Sequence, residues 1–543
     1  MKKIFAAVLC GLMVLTGCSE NTISPEISSD APEVSAPLDG VPQNTVSSAP
    51  TVTLIEESES ASETSESDLQ PAESEPKAPN FSEIEPAVFT TAPEDFYEIF
   101  EIEDGIAGNG AEKTDLREGF SGDGYVSCLP DGEVILKVEI PSPQHYNITV
   151  RAAADSPCSG KLLIDGSPCG NFTVSGANGF ETLRFDNVYL DEGSVVFGFS
   201  GLDFQIDLDC VIVEDSPAVY ELKYDAGELS NKNADGCAAE LYSYMKDLYG
   251  NAVLSGQQVS QGSNAELDEI YFTTGKYPAI RFGELMDYSA GIDSGDVELA
   301  SEWAKSGGIV GYSWYWTMNG SVYAEKTSFD LSAARTDLDI AAMDGGALAL
   351  RYNSGDITLE TLAVIDGIDL VAAQLEKLKN EGVAVIFRPL PEAGGGQFWW
   401  SQSPEDYIWL YKLIYERLSG YWSLNNLIWV WNGQSEAFYP GDEMTDVISL
   451  DIYYPEGDPG LGTSGVNFFV GANGSAPDKL IAMSECSFLP SPDMISRDNA
   501  FWSYCSAWTG EYAVGGRYMQ TQDWIMFYNN SIVITKDEIE YNR

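Results

Sequence analysis

A glutamate at the end of a short apolar run is the first group in this sequence that could do chemistry. The run Val383–Phe387 is rich in β-branched residues, as is usual for a strand covered on both faces, and it ends by Pro389. Glu392 follows at once, ahead of three glycines and the aromatic residues at 398–400. Because aromatic rings stack on sugars and a carboxyl can protonate a glycosidic oxygen, the pattern favours sugar chemistry. A surface glutamate in an aromatic-rich loop is the alternative.

A second glutamate has the same placement. Glu485 follows the apolar run Leu480–Met483, 93 residues after Glu392. If these runs are the fourth and seventh strands of a closed barrel, their carboxyl ends face each other across its open end. Two carboxyls about 5 to 5.5 Å apart would suit a retaining glycosidase, in which one protonates the leaving oxygen and the other attacks the anomeric carbon.

Residues 222–543 supply the elements that would position both glutamates. Apolar, β-rich runs alternate there with helical patterns such as Ile368–Lys379 and Asp406–Leu418. The strand candidates are Val253–Gln257, Pro278–Gly283, Ile309–Trp316, Val383–Leu390, Asn426–Trp431, Val447–Tyr453, Leu480–Ser484 and Ala500–Ala507. Eight strands that alternate with helices predict a (β/α)8 TIM barrel, whose functional residues lie where strands end.

An earlier segment, residues 96–217, has a different pattern. Its short runs alternate between apolar and polar residues, with turn residues every 8 to 12 positions. Examples are Val134–Ile140, Tyr146–Ala152, Lys161–Ile164 and Val195–Phe199. This spacing predicts an N-terminal β-sandwich, jelly-roll-like, and the whole chain is therefore expected to be multidomain.

The first 18 residues have the layout of a secretory signal peptide. Lys2 and Lys3 precede an apolar run, Ile4–Leu15, that is too short to span a membrane. The ending Leu15–Cys18 resembles a bacterial lipobox, which implies cleavage before Cys18 and lipidation of its thiol. We therefore expect an extracellular lipoprotein anchored to the membrane at the cell surface. An ordinary signal peptide with an incidental cysteine is the alternative.

The segment 19–95 is dominated by Ser, Glu, Pro, Thr and Ala. Between Ser19 and Pro76 it holds thirteen acidic residues and neither Lys nor Arg. Such a composition cannot bury enough apolar area to offset chain entropy, so it predicts a disordered spacer. A partner-binding acidic tail is the other interpretation.

Composition excludes several classes of function. The net charge of −57 excludes a nucleic-acid partner, which would require clustered Lys and Arg. The single histidine, His145, excludes a Ser-His-Asp triad in the C-terminal half and a histidine-based zinc site. No catalytic cofactor is expected, because two carboxylates suffice for glycoside hydrolysis. We expect a monomer.

Four motifs in the β-sandwich segment resemble a family 35 carbohydrate-binding module. They are FEIEDG at 100–105, EGFSGDGYV at 118–126, YNITVRAAA at 146–154 and IDLDCVIV at 206–213. The resemblance implies a structural calcium ion held by Glu101, Glu103 and Asp209, and adjacent carboxylates suit a hard cation. Solvated charges at a sheet edge are the alternative.

The C-terminal segment resembles glycoside hydrolase family 26. The motifs are PAIRFGELMDYS at 278–289, GGIVGYSWYW at 307–316, FRPLPEAGGGQFWW at 387–400, NNLIWVWN at 425–432, YPGDEMTDVISLDIYY at 439–454 and MSECS at 483–487. The resemblance implies a retaining endo-β-1,4-mannanase acting on mannan, glucomannan or galactomannan. It assigns Glu392 as acid/base, Glu485 as nucleophile and Tyr453 as the residue that positions the nucleophile.

The same resemblance predicts a substrate-binding set. Its members are Trp314, Tyr315, Arg388, Gln397, Trp399 and Trp400. Of the tryptophans, Trp314 and Trp400 match aromatic residues that line the cleft in the family. Packing in the barrel core is the competing interpretation for the tryptophans and for Tyr453.

Three positions depart from the family pattern. Pro391 stands where histidine normally precedes the acid/base, Tyr315 stands where a second histidine is usual, and Gln397 replaces an aromatic residue. Lost polar contacts near the reacting ring lower transition-state stabilisation. The alternatives are therefore action on β-1,3-1,4-glucan or xylan, or a catalytically weakened surface glycan-binding protein. Both carboxylates remain, so we predict an active enzyme.

Overall fold

The structure, a computed structural model, describes residues 93–177, 179–457 and 464–541. The predicted signal peptide, the lipidation site Cys18 and the spacer as far as residue 92 lie outside the described residues. Within the described ranges, no helix is both long and apolar enough to cross a membrane. The seven cysteines in these ranges are all free thiols.

Eleven antiparallel strands form the first folded part. They are β1 (Tyr97–Glu101), β2 (Ile106–Gly108), β3 (Ala111–Thr114), β4 (Tyr125–Cys128), β5 (Glu133–Ile140), β6 (Gln144–Ala153), β7 (Cys158–Ile164), β8 (Ser167–Val174), β9 (Glu181–Leu190), β10 (Gly193–Ser200) and β11 (Ile206–Asp215). One sheet has the order β3-β4-β11-β6-β9, with β1 also paired to β11, and the other has the order β2-β5-β10-β7-β8. Alternate residues of both sheets, such as Val150 and Leu136, are buried in one shared apolar core.

Eight parallel strands close into a barrel in the second part. They are β12 (Val253–Gln258), β13 (Ile280–Glu284), β14 (Ile309–Trp314), β15 (Val385–Pro389), β16 (Leu427–Trp431), β17 (Val447–Ile452), β18 (Leu480–Cys486) and β19 (Tyr504–Ala507). The ring closes because β12 pairs in parallel with both β13 and β19. A short strand, β20 (Val533–Ile534), also pairs with β12. The predicted (β/α)8 barrel is confirmed.

Helices surround the barrel and occupy most of the connections between its strands. They are α1 (Gly236–Leu248), α2 (Ala265–Thr274), α3 (Met286–Ser289), α4 (Asp296–Lys305), α5 (Leu331–Ala334), α6 (Gly345–Asn353), α7 (Leu359–Asn380), α8 (Pro404–Glu416), α9 (Val466–Ser475), α10 (Pro492–Arg497) and α11 (Thr521–Tyr528). Thr358 caps α7 and Ser403 caps α8, each by accepting a hydrogen bond from a backbone amide of the first turn. The predicted pattern Ile368–Lys379 lies within α7, whereas Asp406–Leu418 begins in α8 and ends in the short π-helix Arg417–Tyr421 that follows it.

Strand bounds differ most from the sequence prediction at β19. The predicted strand Ala500–Ala507 is extended only from Tyr504. The Trp502 amide donates to the Ala500 carbonyl, which makes a tight turn. The Trp502 indole also donates to the Ser464 carbonyl at 2.7 Å. Tertiary contacts of this buried ring therefore delay the start of the strand.

A polar seam joins the two-sheet part to the barrel. His145 Nε2 lies 3.0 Å from Asp498 Oδ1, and both side chains are buried. Asn187 of β9 donates to Asn467 of α9 at 2.8 Å. Burial by itself would raise the pKa of Asp498, but hydrogen bonds from His145 and Arg497 hold it below its usual value.

Candidate active site

A cavity of about 590 Å³ opens at the carboxyl ends of the barrel strands. Nearly every strand contributes a wall residue from its last position or the loop that follows. These residues include Gln258, Glu284, Tyr315, Glu392, Tyr453, Glu485 and Trp508. Side chains from distant parts of the sequence therefore meet at the end of the barrel where such folds place their active sites.

The backbone before Glu392 turns sharply, and hydrogen bonds hold the turn. Leu390 and Glu392, on either side of Pro391, both adopt left-handed conformations, with φ of 52° and 54°. Such conformations cost an ordinary residue about 1–2 kcal/mol, so the surroundings must enforce them. The Glu392 amide donates to the Asn432 carbonyl at 2.8 Å, and the Trp400 indole donates to the Pro391 carbonyl at 2.9 Å. Pro391 has no N–H to donate, and it takes part in this turn through its carbonyl.

A bulge in β18 sets the direction of Glu485. Leu450 of β17 pairs with Met483, but the next residue, Asp451, pairs with Glu485, so the register skips Ser484. An extra residue of this kind re-aims the side chains that follow it. Glu485 is only 2% exposed, yet its carboxyl reaches the cavity wall.

Three side chains donate hydrogen bonds to the Glu485 carboxyl. The Tyr315 hydroxyl donates to Oε1 at 2.9 Å and the Tyr453 hydroxyl to Oε2 at 2.7 Å. The Arg388 guanidinium also donates to Oε1. Three donors, one of them cationic, stabilise negative charge on this carboxyl. Tyr453 contacts the carboxyl that it is predicted to position, and Tyr315, which stands where the resemblance implies histidine, contacts the same carboxyl.

Arg388 is fully buried and does not line the cavity. Besides Glu485, it donates to Asp451 Oδ1 at 3.1 Å and to Ser313 Oγ at 2.8 Å. The prediction that Arg388 binds substrate is therefore wrong for this structure. Its guanidinium instead supplies the positive charge that two buried carboxylates require.

The two predicted catalytic carboxyls lie close together. Glu392, Asp451 and Glu485 each place a carboxylate oxygen within 4.8 Å of the others. Oxygens this close favour the spacing of retaining glycosidases, whose carboxyls lie about 5–5.5 Å apart, over that of inverting enzymes, which need about 6.5–9.5 Å to admit a water. The cluster is a poor metal site, because the Arg388 guanidinium is already paired with both Asp451 and Glu485 and would repel a metal cation.

The pKa of Glu392 differs from that of an ordinary glutamate because its carboxyl is buried. Burial, followed by repulsion from Glu485, raises the pKa of Glu392 to about 7, although Arg388 and a hydrogen bond from Gln397 act in the opposite direction. A general acid works best when its pKa is near the operating pH. Glu392 can therefore hold a proton near neutrality and also release it.

Sequence reasoning missed a third acidic group of the cavity, Glu284. It is the last residue of β13, and its Oε1 accepts hydrogen bonds from the backbone amides of Leu285, Met286 and Tyr315. Its Oε2 is buried without a hydrogen-bond partner. Burial raises the pKa of Glu284 well above its usual value, and the backbone amides only partly oppose this. The sequence does contain a signal for Glu284, because this residue ends an apolar strand just as Glu392 follows one.

The predicted sugar-binding tryptophans are buried in the barrel. Trp314, Trp399 and Trp400 are at most 1% exposed. Trp314 stacks on Trp316 with ring centroids 4.4 Å apart, and Trp400 stacks on Phe398 at 4.6 Å. The prediction that these three rings contact substrate is corrected, because packing covers their faces. They support the wall from behind.

Other aromatic rings form the wall itself. They are Tyr315, Tyr323, Phe398, Tyr453, Trp508 and Tyr512. Tyr323 is 43% exposed and stacks on Phe398, with ring centroids 5.7 Å apart. Trp508 could have been found from sequence, since it directly follows the last barrel strand. Gln397 also lines the cavity, and its amide donates to Glu392 Oε2 at 2.9 Å.

The carboxylates predicted to hold calcium in the two-sheet part surround the loop 119–124. Glu101 accepts from the Ser121 hydroxyl at 2.8 Å, and Asp209 accepts from the Ser121 amide at 2.8 Å. Glu103 Oε2 is buried and unpartnered, which suits a cation. Asp209, however, is already paired with Arg151. The donor set therefore fits a hard cation at the two glutamates better than at Asp209.

Comparison with known proteins gives a consistent result. Residues 230–538 match the sequence profile of the family described as Glycosyl hydrolase family 26. A mannan endo-1,4-β-mannosidase of Thermothelomyces thermophilus is 30% identical over 81% of this chain and 90% of its own length. The crystal structure of a Podospora anserina GH26-CBM35 β-(1,4)-mannanase is 28% identical, with a TM-score of 0.56 over 82% of this chain and 99% of that chain. A ruminal GH26 endo-β-1,4-mannanase is 25% identical, with a TM-score of 0.58 over 83% and 100%.

Proposed function

The chain belongs to glycosyl hydrolase family 26, and from that membership we propose that it is a retaining endo-β-1,4-mannanase. Its substrates would be mannan, glucomannan or galactomannan, since its relatives are mannan endo-1,4-β-mannosidases. The observation that carries the proposal is the pair Glu392 and Glu485, whose carboxylate oxygens lie within 4.8 Å at the open end of the barrel.

The geometry supports a two-step reaction. Glu392, which holds its proton up to about pH 7, donates it to the glycosidic oxygen as the bond to the anomeric carbon breaks. Glu485 attacks that carbon and forms a covalent glycosyl-enzyme. Glu392, now ionised, takes a proton from a water that attacks the same carbon, and the bond to Glu485 breaks. Tyr453, Tyr315 and Arg388 would orient Glu485 and stabilise the charge that returns to it.

A second candidate substrate class is β-1,3-1,4-glucan or xylan. Tyr315 and Gln397, two of the departures from the family pattern, both face the cavity. Mannose differs from glucose by an axial 2-hydroxyl, so altered polar groups near the reacting ring could change which sugar is preferred. The third alternative, a glycan-binding protein without catalysis, is disfavoured because both carboxyls retain a working geometry.

Product release from a panel of polysaccharides tests the proposal. Wild type, Glu392→Ala and Glu485→Ala would be incubated with β-mannan, glucomannan, galactomannan, β-1,3-1,4-glucan and xylan. We expect oligosaccharides from the mannans with wild type alone. Release from glucan or xylan only would favour the second candidate, and release by Glu485→Ala at the wild-type rate would overturn the assignment.

We also propose that the two-sheet part is a β-sandwich carbohydrate-binding module. The Podospora anserina GH26-CBM35 protein covers 82% of this chain, a larger share than the family 26 match at residues 230–538 takes up. A structural calcium ion near Glu101 and Glu103 belongs to this proposal. Isothermal titration of the calcium-stripped protein with Ca²⁺ would test it, and absence of binding heat would contradict it.

Cell-surface attachment through lipidated Cys18 and a monomeric state complete the proposal. The lipobox-like ending of the leader supports the anchor. In the producing bacterium, radiolabelled palmitate should enter the wild-type protein and not Cys18→Ser. Equal labelling of both proteins would contradict the anchor, and sedimentation of the soluble protein would give its oligomeric state.

A further inference from the structure

We propose that Gln397 is a positioning residue that fixes the catalytic proton of Glu392 on Oε1, the oxygen left free to meet the glycosidic oxygen. This inference rests on the proposed function. It starts from one contact, because Gln397 Nε2 donates to Glu392 Oε2 at 2.9 Å. An amide nitrogen has hydrogens and no lone pair to accept with, so the oxygen facing it must act as the acceptor. A protonated Glu392 therefore carries its proton on the other oxygen.

This orientation of the amide serves both halves of the reaction. When Glu392 is ionised and about to act as a base, it requires a donor, which the Gln397 nitrogen supplies. When Glu392 is protonated, the same nitrogen excludes the proton from Oε2. The Gln397 amide therefore does not have to rotate to exchange its nitrogen and oxygen between the two steps.

The backbone that carries Gln397 is tied down on both sides, although its side chain is exposed. The Gln397 carbonyl accepts from the Ala324 amide at 3.0 Å, and Phe398 forms an antiparallel bridge with Tyr323. Gly396, with φ of +76°, makes the turn just before it. The loop after β15 is thus fastened to the loop after β14, so the amide is presented from a fixed backbone.

Gln397 has no substitute at this carboxyl. Among the residues that the structure describes, it makes the one side-chain hydrogen bond to Glu392. The charged and ionisable groups around Glu392 act through space instead. They are Glu485, Asp451, Arg388 and Tyr315. These groups influence how strongly the proton is held, but none of them selects between the two oxygens.

The test uses leaving groups of different basicity. We would measure kcat/KM, which reports the first chemical step, for Gln397→Leu on aryl β-mannobiosides. A 2,4-dinitrophenolate leaves without a proton, whereas a phenolate requires one. We expect a loss of about 10- to 100-fold on the phenyl substrate and on mannohexaose, smaller than the about 10²- to 10⁴-fold that full loss of the general acid would cause, and about 2-fold on the dinitrophenyl substrate. Gln402→Leu is the matched control, because Gln402 lies in the same loop and bonds only to the Phe398 carbonyl.

A pH profile gives a second readout. The Gln397 hydrogen bond lowers the pKa of Glu392, so its removal should move the alkaline limb of kcat/KM to higher pH. Gln397→Glu, which keeps the length and adds a negative charge, should move the limb further in the same direction. If Gln397→Leu does not fold, Gln397→Glu still tests the proposal.

Two results would overturn the inference. One is a loss in Gln397→Leu that is equal on the phenyl and dinitrophenyl substrates, and the other is an alkaline limb that stays in place in both variants. Failure of the proposed function has a different signature. Wild type would then release nothing from any β-mannan and would turn over neither aryl mannobioside.

Discussion

The two glutamates at the open end of the barrel have opposite kinds of surroundings. Glu485 is 2% exposed, and its two oxygens accept hydrogen bonds from three side chains. Glu392 accepts one, from a glutamine that is itself exposed, and its pKa is raised to about 7. Surroundings of this kind divide the work between identical side chains, because the oxygens of one are occupied by three donors and the other can exchange a proton.

Removal of each carboxyl should have the largest effect and should distinguish the two roles. Glu485→Ala should lower kcat/KM about 10⁴-fold or more on every substrate, because no covalent intermediate can form. Glu392→Ala should lose about 10²- to 10⁴-fold on mannan but much less on aryl glycosides whose leaving group needs no proton. Steady-state kinetics on both substrate types checks this. If both variants lost the same activity on mannan and on aryl glycosides, the two glutamates would not have different roles.

Arg388→Met would act most strongly on the Glu485 side of the comparison, because Arg388 bonds directly to Glu485 and influences Glu392 only through space. It leaves Glu485 and Asp451 buried without their shared cation, and loss of one partner of a buried ion pair costs about 3–5 kcal/mol. We expect the free energy of unfolding in urea to fall by about that amount. Arg335→Met is the control, because Arg335 pairs with Glu405 and Asp406 at the surface. A similar change in both variants would contradict the role of Arg388.

The two tyrosines test whether the donors to Glu485 act separately. Tyr315→Phe and Tyr453→Phe each remove one hydroxyl and keep the ring. A hydrogen bond to a charged group contributes about 1.5–3 kcal/mol, so each variant should lose about 10- to 100-fold in kcat. The double variant measures their coupling. A wild-type rate in Tyr315→Phe would show that the hydroxyl of Tyr315 does not contribute to catalysis and that Tyr453 is the tyrosine that supports Glu485.

The pH dependence of the wild type should report Glu392. Since its raised pKa is about 7, the acid form is present below that pH and is lost above it. We expect kcat/KM on mannan to fall about tenfold per pH unit on the alkaline side of pH 7. A limb that begins near pH 4 to 5 would show that Glu392 behaves as an ordinary glutamate.

Glu284→Gln should have the smallest effect. Burial raises the pKa of Glu284 well above its usual value, which favours its neutral form, so we expect an amide of the same shape to replace it with a change in KM of about 3-fold or less. Glu284→Ala, which removes both polar atoms, should raise KM more. A large loss in the glutamine variant would mean that Glu284 acts as a charged group.

The sequence was most informative where a strand ends. The eight barrel strands and the placement of Glu392 and Glu485 follow from apolar runs and the residue after each run. The direction of a side chain does not follow from such patterns. Trp399 and Trp400 come from an aromatic cluster that suggested sugar stacking, yet core packing covers both rings. The bond from Tyr315 to Glu485 joins residues 170 positions apart and depends on the closed barrel.

His145 gives the seam between the two parts a spectroscopic marker. It is the one histidine in the sequence, and its imidazole is buried against Asp498 across the seam. A protein labelled with ¹³C at the histidine Cε1 therefore has a single imidazole signal in its NMR spectrum, free of overlap. The chemical shift of that signal reports whether the two parts are docked, without any tag or substitution. Binding of a long polysaccharide could then be followed at the seam as well as at the two glutamates of the cavity.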